Sequence, residues 1–145
     1  MPLPVAIATA VLSCCALANA ASAQVVTEES LIAGGAQRLT TDEIRALHAD
    51  RTVFHHNVAS GLRVAIWYAG DGTRAFRGGN RTFTGEWTAR DNQRCEETVA
   101  GPVVCMSFYR RGDELIVCDP REIPDCRWRI TRSVEGDVEK LARKP

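Results

Sequence analysis

The chain has no excess charge of either sign: 18 lysines and arginines stand against 18 aspartates and glutamates in 145 residues. Binding to nucleic acid or to an anionic lipid surface wants a basic excess, so neither is an expected partner. After the opening residues no apolar run approaches the length of a bilayer-crossing helix. There is no G-x-S-x-G elbow, no Ser/His/Asp constellation and no glycine loop opening a helix, which removes the familiar acyl-transfer and phosphate-cradling chemistries. A Cys-x-x-Cys redox pair is also missing. Internal repeats and low-complexity tracts are absent too.

What is present begins with "MPLPVAIATAVLSCCALANAASAQ". Residues 5 to 18 are apolar or small, and Ala21-Ser22-Ala23 supplies an A-x-A site before Gln24. This is the pattern of a secretory signal peptide over residues 1–23. Val11-Leu12-Ser13-Cys14 loosely resembles a lipoprotein box, but cleavage after Ala23 is the preferred reading over a lipid anchor at Cys14. Every charged residue lies in the remaining 122 residues, enough for one domain with a modest core. The expected destination is the periplasm or the exterior.

Residues 24–38 read as a flexible leader. In "LTTDEIRALHAD", Thr40 and Glu43 form a capping box, and Leu39 with Ile44 a hydrophobic staple. Asp42 and Glu43 fall where the helix dipole favours them. One short helix is expected over about 41–49. Thereafter come eight runs rich in β-branched and aromatic residues: "TVFHHNV", "GLRVAIWYA", "TRAFRG", "RTFTGEWTAR", "RCEETV", "VVCMSFYR", "ELIVC" and "CRWRITRSV". Turn signals separate them, among them Gly79-Asn80, Asp91-Asn92 and Gly112-Asp113. Strands at this spacing with no intervening helix predict a mainly β antiparallel meander closing into a small barrel or sandwich, a single domain over 39–134. Residues 135–145 read as a polar, frayed tail.

Four cysteines remain after the leader: Cys95, Cys105, Cys118 and Cys126. An even count in an oxidising compartment implies disulfides, with three possible connectivities. Cys95 and Cys105 flank the Ala100-Gly101-Pro102 turn symmetrically, and Cys118 and Cys126 flank "DPREIPD". Opposed strand residues lie within disulfide reach. For the hairpin "FYRRGDEL" a three-residue loop with Gly112 left-handed is expected. That register puts Val104, Met106 and Phe108 on one core face with Ile116, Cys118, Cys126, Trp128 and Ile130, and turns Cys105 away. The expected bridges are therefore Cys95–Cys105 and Cys118–Cys126. A zinc reading fails on spacing, since nine and seven residues separate the cysteines against two to four in paired zinc ligands. Asp119, Glu122 and Asp125 offer oxygen ligands for calcium, but two prolines and Arg121 oppose a tight cage.

The remaining candidates are few. His55 and His56 are strand neighbours and point to opposite faces, so they cannot share an ion. One of them with His48 is a weak metal or haem candidate, and no cofactor is expected. Trp67, Trp87 and Trp128, with Tyr68, Phe76, Phe83 and Phe108, can fill a barrel, or some can line a cup for one small molecule. The sequon at Asn80 carries no argument.

"LTTDEIRAL", "GDGT", "GEW" and the cysteines around a hairpin ending "YRRGDEL" resemble a family of small secreted proteobacterial proteins of unknown function. The likeness covers roughly residues 39 to 118, and the Cys118–Cys126 loop looks like an addition. It implies a periplasmic, lipocalin-like β-domain and transfers no catalytic residue. The expected function is thus a non-enzymatic binding or interaction module for a protein or a small apolar ligand. Two alternatives stand beside it. One is an inhibitor of a secreted hydrolase such as lysozyme or a protease, presenting Arg121, Glu122 and Ile123. The other is a metal or haem carrier.

Overall fold

The computed structural model describes residues 26–99, 101–122 and 124–142. The leader cleavage site, Cys14 and Ile123 lie outside the described residues. The elements in order are α1 (Glu28–Ala33), β1 (Gln37–Arg38), α2 (Thr41–His48), β2 (Arg51–Asn57), β3 (Arg63–Tyr68), β4 (Thr73–Gly78), β5 (Arg81–Arg90), β6 (Gln93–Glu97), β7 (Val103–Arg111), β8 (Glu114–Cys118) and β9 (Trp128–Glu135). From β2 on, each strand pairs antiparallel with the next, and β9 returns to β2. The meander closes as an eight-stranded barrel, so no sandwich forms. Closure leaves no unpaired sheet edge, which suits a small β-domain.

Local chemistry accounts for the turns. Asp91 and Asn92 have φ of 51° and 56°, the pair of left-handed residues that a two-residue hairpin of the mirror-image type needs. They join Arg90 directly to its partner Gln93. The capping box of α2 forms as expected. Thr40 N–H donates to Glu43 Oε2 at 2.9 Å, and Glu43 N–H donates back to Thr40 Oγ1 at 3.3 Å. α2 packs on β2, β5 and β6 and sends Ile44, Leu47 and His48 into the end of the barrel where β2 begins. There they meet Val53, Tyr68, Trp87, Met106 and Phe108.

The β7–β8 hairpin departs from expectation. Its turn is the two-residue Gly112-Asp113, with Arg111 opposite Glu114 and Gly112 at φ 57°. The three-residue loop does not occur, so Phe108 faces Val117, and Ser107 faces Cys118. A one-residue shift exchanges the faces of a strand. Ile116, Cys118 and Cys126 accordingly leave the barrel interior and form a second cluster with Tyr109 and Leu31. Both expected disulfides survive the shift. Cys95 and Cys105 are register partners across β6 and β7, and Cys118 bonds Cys126.

This outer cluster explains why the described part of the expected flexible leader, residues 26–38, is ordered into α1 and β1. An apolar patch on the outside of a barrel must be covered, and α1 covers it with Leu31, which is 2% exposed. Thr27 caps α1 through Ser30 N–H at 3.1 Å. Tyr109 donates its hydroxyl hydrogen to Glu28 Oε1 at 2.6 Å, while β1 adds to β7. The tail is likewise tied down and not frayed up to Ala142. Thr52 Oγ1 donates to the Gly136 carbonyl at 2.7 Å, Asp137 accepts from the Leu141 and Ala142 amides, and Leu141 is buried.

A polar cup in the barrel as candidate functional site

The lower half of the barrel is packed with rings, but the middle carries charge. Strand alternation sets this up. Cys95 and Cys105 point outward, so their neighbours Arg94, Glu96, Val104 and Met106 point inward. Arg94 is 2% exposed and is the hub of the interior. Its Nη1 donates to His48 Nε2 at 2.8 Å, and its Nη2 approaches Met106 Sδ at 3.4 Å. Its guanidinium carbon lies 4.9 Å from the Tyr68 ring centre and 5.1 Å from that of Phe108. Its Nε stands 3.3 Å from Glu96 Oε2. That contact is an ion pair without hydrogen-bond geometry, since the nitrogen has no bonded partner.

Glu96 gathers more than one donor. Tyr68 donates its hydroxyl hydrogen to Oε2 at 3.4 Å, and Arg74, also buried, approaches it at 3.9 Å. Arg74 is held by a hydrogen bond to the Glu97 carbonyl and passes beside Gly85, the residue opposite it on β5.

The tautomer of His48 follows from its partners. The Ile44 carbonyl, 2.7 Å from Nδ1, can only accept, so Nδ1 carries the hydrogen. A guanidinium can only donate, so Nε2 must offer its lone pair. His48 is a neutral acceptor with both nitrogens engaged. Burial, reinforced by the charge of Arg94, holds its pKa well below the ordinary imidazole range.

Above this floor lies a cavity of about 140 Å³, walled by Val64, Ile66, Met106, Val117 and Trp128 and by the polar groups His55, Arg94, Glu96, Asp119, Arg121 and Glu122. His55 reaches it by strand alternation, one residue after the outward Phe54 and two after the buried Val53, in unbroken register with β3. The β-bulge lies opposite, in β9, where Thr131 is the extra residue between Ile130 and Arg132. His55 is 5% exposed, its Nε2 is closed off from solvent and has no hydrogen-bond partner, and Trp128 meets it edge-on at 6.4 Å. Burial, again with Arg94 nearby, keeps its pKa well below the ordinary value.

Residues 119–122, the first part of the "CDPREIPDC" loop, roof one side of the cup. Arg121 Nε donates to Asp119 Oδ1 at 2.9 Å, and Glu122 Oε1 accepts from Trp128 Nε1 at 2.9 Å. Burial pushes the Asp119 carboxyl up, but the hydrogen bonds from Arg121 outweigh it and leave it below the usual range. Arg121 is bonded within its own loop yet remains half-exposed, while Glu122 is tied to the barrel through Trp128. Among the expected aromatics only Trp128 lines the cup. Trp87 is packed in the core with Nε1 bonded to the Ala69 carbonyl at 3.0 Å, and Trp67 alternates to the outer face beside Ala142. His56 also lies on the outer face of β2, so His48, His55 and His56 do not form one site. Among the described residues no group of three His, Cys, Asp or Glu is placed to hold a metal, and no helix is long and apolar enough to cross a membrane.

Arg74, Arg94 and Glu96 went unmarked in the sequence, although the signal existed. Once Cys105 is assigned outward, its partner Cys95 follows, and residues 94 and 96 are forced in. Comparison with protein-family models, with curated proteins and with solved structures finds no match to this chain.

Proposed function

We propose that this protein is a non-enzymatic periplasmic or secreted binding module, and that it holds a small molecule in the cup. One observation carries the reading. In an otherwise close-packed interior there is a cavity of about 140 Å³ beside a buried, unpartnered polar atom, His55 Nε2. Protein interiors rarely leave voids of that size or buried polar atoms unbonded. Pockets that combine an apolar wall with a few polar groups are the usual form of a ligand site. The signal-peptide pattern, the family resemblance and two disulfides favour an oxidising compartment. The test is an NMR screen of a small-molecule library against the oxidised protein. Binders should shift the Trp128 indole and the residues around His55, and Val64→Trp, which fills the cup, should abolish those shifts. A library that shifts nothing there refutes the reading.

A second reading, inhibition of a secreted hydrolase, is favoured by a separate feature. Val58, Leu62, Val99 and Val103 are all half or more exposed, and they sit on the two hairpin ends that flank the cup side of the barrel. Exposed apolar residues gathered at one end suit a protein partner. Inhibition of a lysozyme or protease by the intact protein, lost in Leu62→Asp but kept in Val64→Trp, would select this reading over the first.

A further inference from the structure

We propose that the ligand of the cup is an uncharged, ring-sized molecule bearing one hydrogen-bonding group, a phenol or a small heteroaromatic, whose polar atom meets His55. This rests on the reading of the cup as a ligand site and goes on to name the ligand's chemistry.

Size sets the first limit. A cavity of about 140 Å³ is close to the roughly 150 Å³ engineered apolar cavity that admits benzene in another protein. Charge sets the second. Three guanidinium groups, Arg74, Arg94 and Arg121, face three carboxylates, Glu96, Asp119 and Glu122, in and around the cup. Glu96 is shared by two of the arginines, Asp119 is held by Arg121, and Glu122 accepts from Trp128 and Asn57. An ion of either sign would enter a balanced set and bury a charge with no free counter-charge, which is costly.

The walls then choose the body of the ligand. Val64, Ile66, Met106, Val117 and Trp128 present apolar surface, and a flat ring can pack against the Trp128 indole. Several buried atoms lack a hydrogen bond, but Arg94 Nε and Arg74 Nε stand beside the Glu96 carboxylate, so among the groups lining the cup the last choice falls to His55, whose Nε2 has neither a bond nor a counter-charge. Arg94, Glu96, Asp119, Arg121 and Glu122 all have partners within the protein, whereas His55 Nε2 has none. A neutral imidazole nitrogen accepts from a hydroxyl or, in the other tautomer, donates to a carbonyl or ring nitrogen. The alternation of β2 puts His55 on the cup wall.

The experiment is an NMR titration of the oxidised protein at neutral pH with four probes of one size: phenol, benzene, benzoate and benzylammonium. Phenol should bind at least about tenfold more tightly than either ion and about fivefold more tightly than benzene, the range that one net hydrogen bond supports. In His55→Leu phenol should fall to the level of benzene, with benzene unchanged. Benzoate or benzylammonium binding in the cup as well as phenol would overturn the ligand class while leaving the site itself standing. Failure of all four probes to shift Trp128 would count against the site. A folded His55→Leu protein that still prefers phenol would overturn the role of His55. If that variant does not fold, the ranking of the four probes on the unaltered protein decides the matter alone.

Discussion

Lowering the pH should destabilise this protein first through two histidines. His48 and His55 are buried and neutral, and both are held well below the ordinary imidazole value by burial and by Arg94. In the unfolded chain each titrates near the ordinary value of about 6.5. A depressed histidine pKa means that the unfolded state binds protons first, so stability is full above pH 6.5 and is lost as pH falls towards the folded values. The unfolded value sets the ceiling on the loss between pH 7.5 and pH 5, about 2 kcal/mol for each histidine. That is a large share of the 5–15 kcal/mol typical of a small domain. Asp119 and Glu114 have lowered pKa values, and their contributions disappear only at more acid pH. The interval from 7.5 to 5 therefore belongs to the imidazoles. Urea unfolding at half-unit steps over this interval measures it. His48→Gln, whose amide oxygen can still accept from Arg94, should halve the slope, and so should His55→Leu. A stability that is flat over the interval would refute the buried neutral assignment. An undiminished slope in His48→Gln would place the protons elsewhere.

Two further outcomes follow from the same packing. Arg94→Leu leaves Glu96 and His48 Nε2 buried without their main partner and should cost about 3–5 kcal/mol in denaturant midpoint experiments, far more than a surface arginine would. Leu31→Ala should cost about 2–4 kcal/mol and speed proteolysis around the 118–126 loop; no change would mean that α1 is not part of the cooperative fold.

The strands were legible because each is short, β-branched and bounded by residues that tolerate left-handed backbone. Asp91-Asn92 is the clear case. The helix over 41–48 was legible because its cap is local, Thr40 against Glu43. The disulfides were legible for a less secure reason. The three-residue loop invoked to turn Cys105 away from Cys118 does not form, yet the pairing holds, because Cys95 and Cys105 meet across the β6–β7 turn and the two-residue turn sets Ser107, not Cys105, opposite Cys118. That register could not be settled locally, because Gly112 serves a two-residue turn as well as a three-residue loop. The real constraint is remote: Leu31, more than seventy residues earlier, supplies the cover that lets Ile116, Cys118 and Cys126 face outward. Residues 24–38 looked featureless for the same reason, since a six-residue helix has little pattern of its own and gains its stability from the surface it covers. His55 was legible only as one of two neighbours on opposite strand faces; which of the two faces inward depends on how the barrel closes and on no spacing within β2.

Stability alone does not account for the middle of this barrel. Buried ion pairs seldom outperform well-packed apolar side chains of equal volume, and the same interior accepts Tyr68 opposite Arg74, Trp87 opposite Glu96, and Phe108. Leucine or methionine at 74, 94 and 96 would fill the space with less desolvation. What apolar residues could not do is fix a floor. Arg94 is gripped from beneath by His48, laterally by two aromatic rings and from above by Glu96, so its rotamer has little freedom. Glu96 in turn is positioned by Tyr68 and Arg74. A wall locked by its own bonds presents one shape and one pattern of charge, and a ligand that fits it loses little to reorganisation on binding. The helix contributes to this directly. α2 is the plug that closes one end of the barrel, and its last buried residue is also the acceptor that holds Arg94 in place, so the packing of that end and the form of the cup are decided by the same side chain.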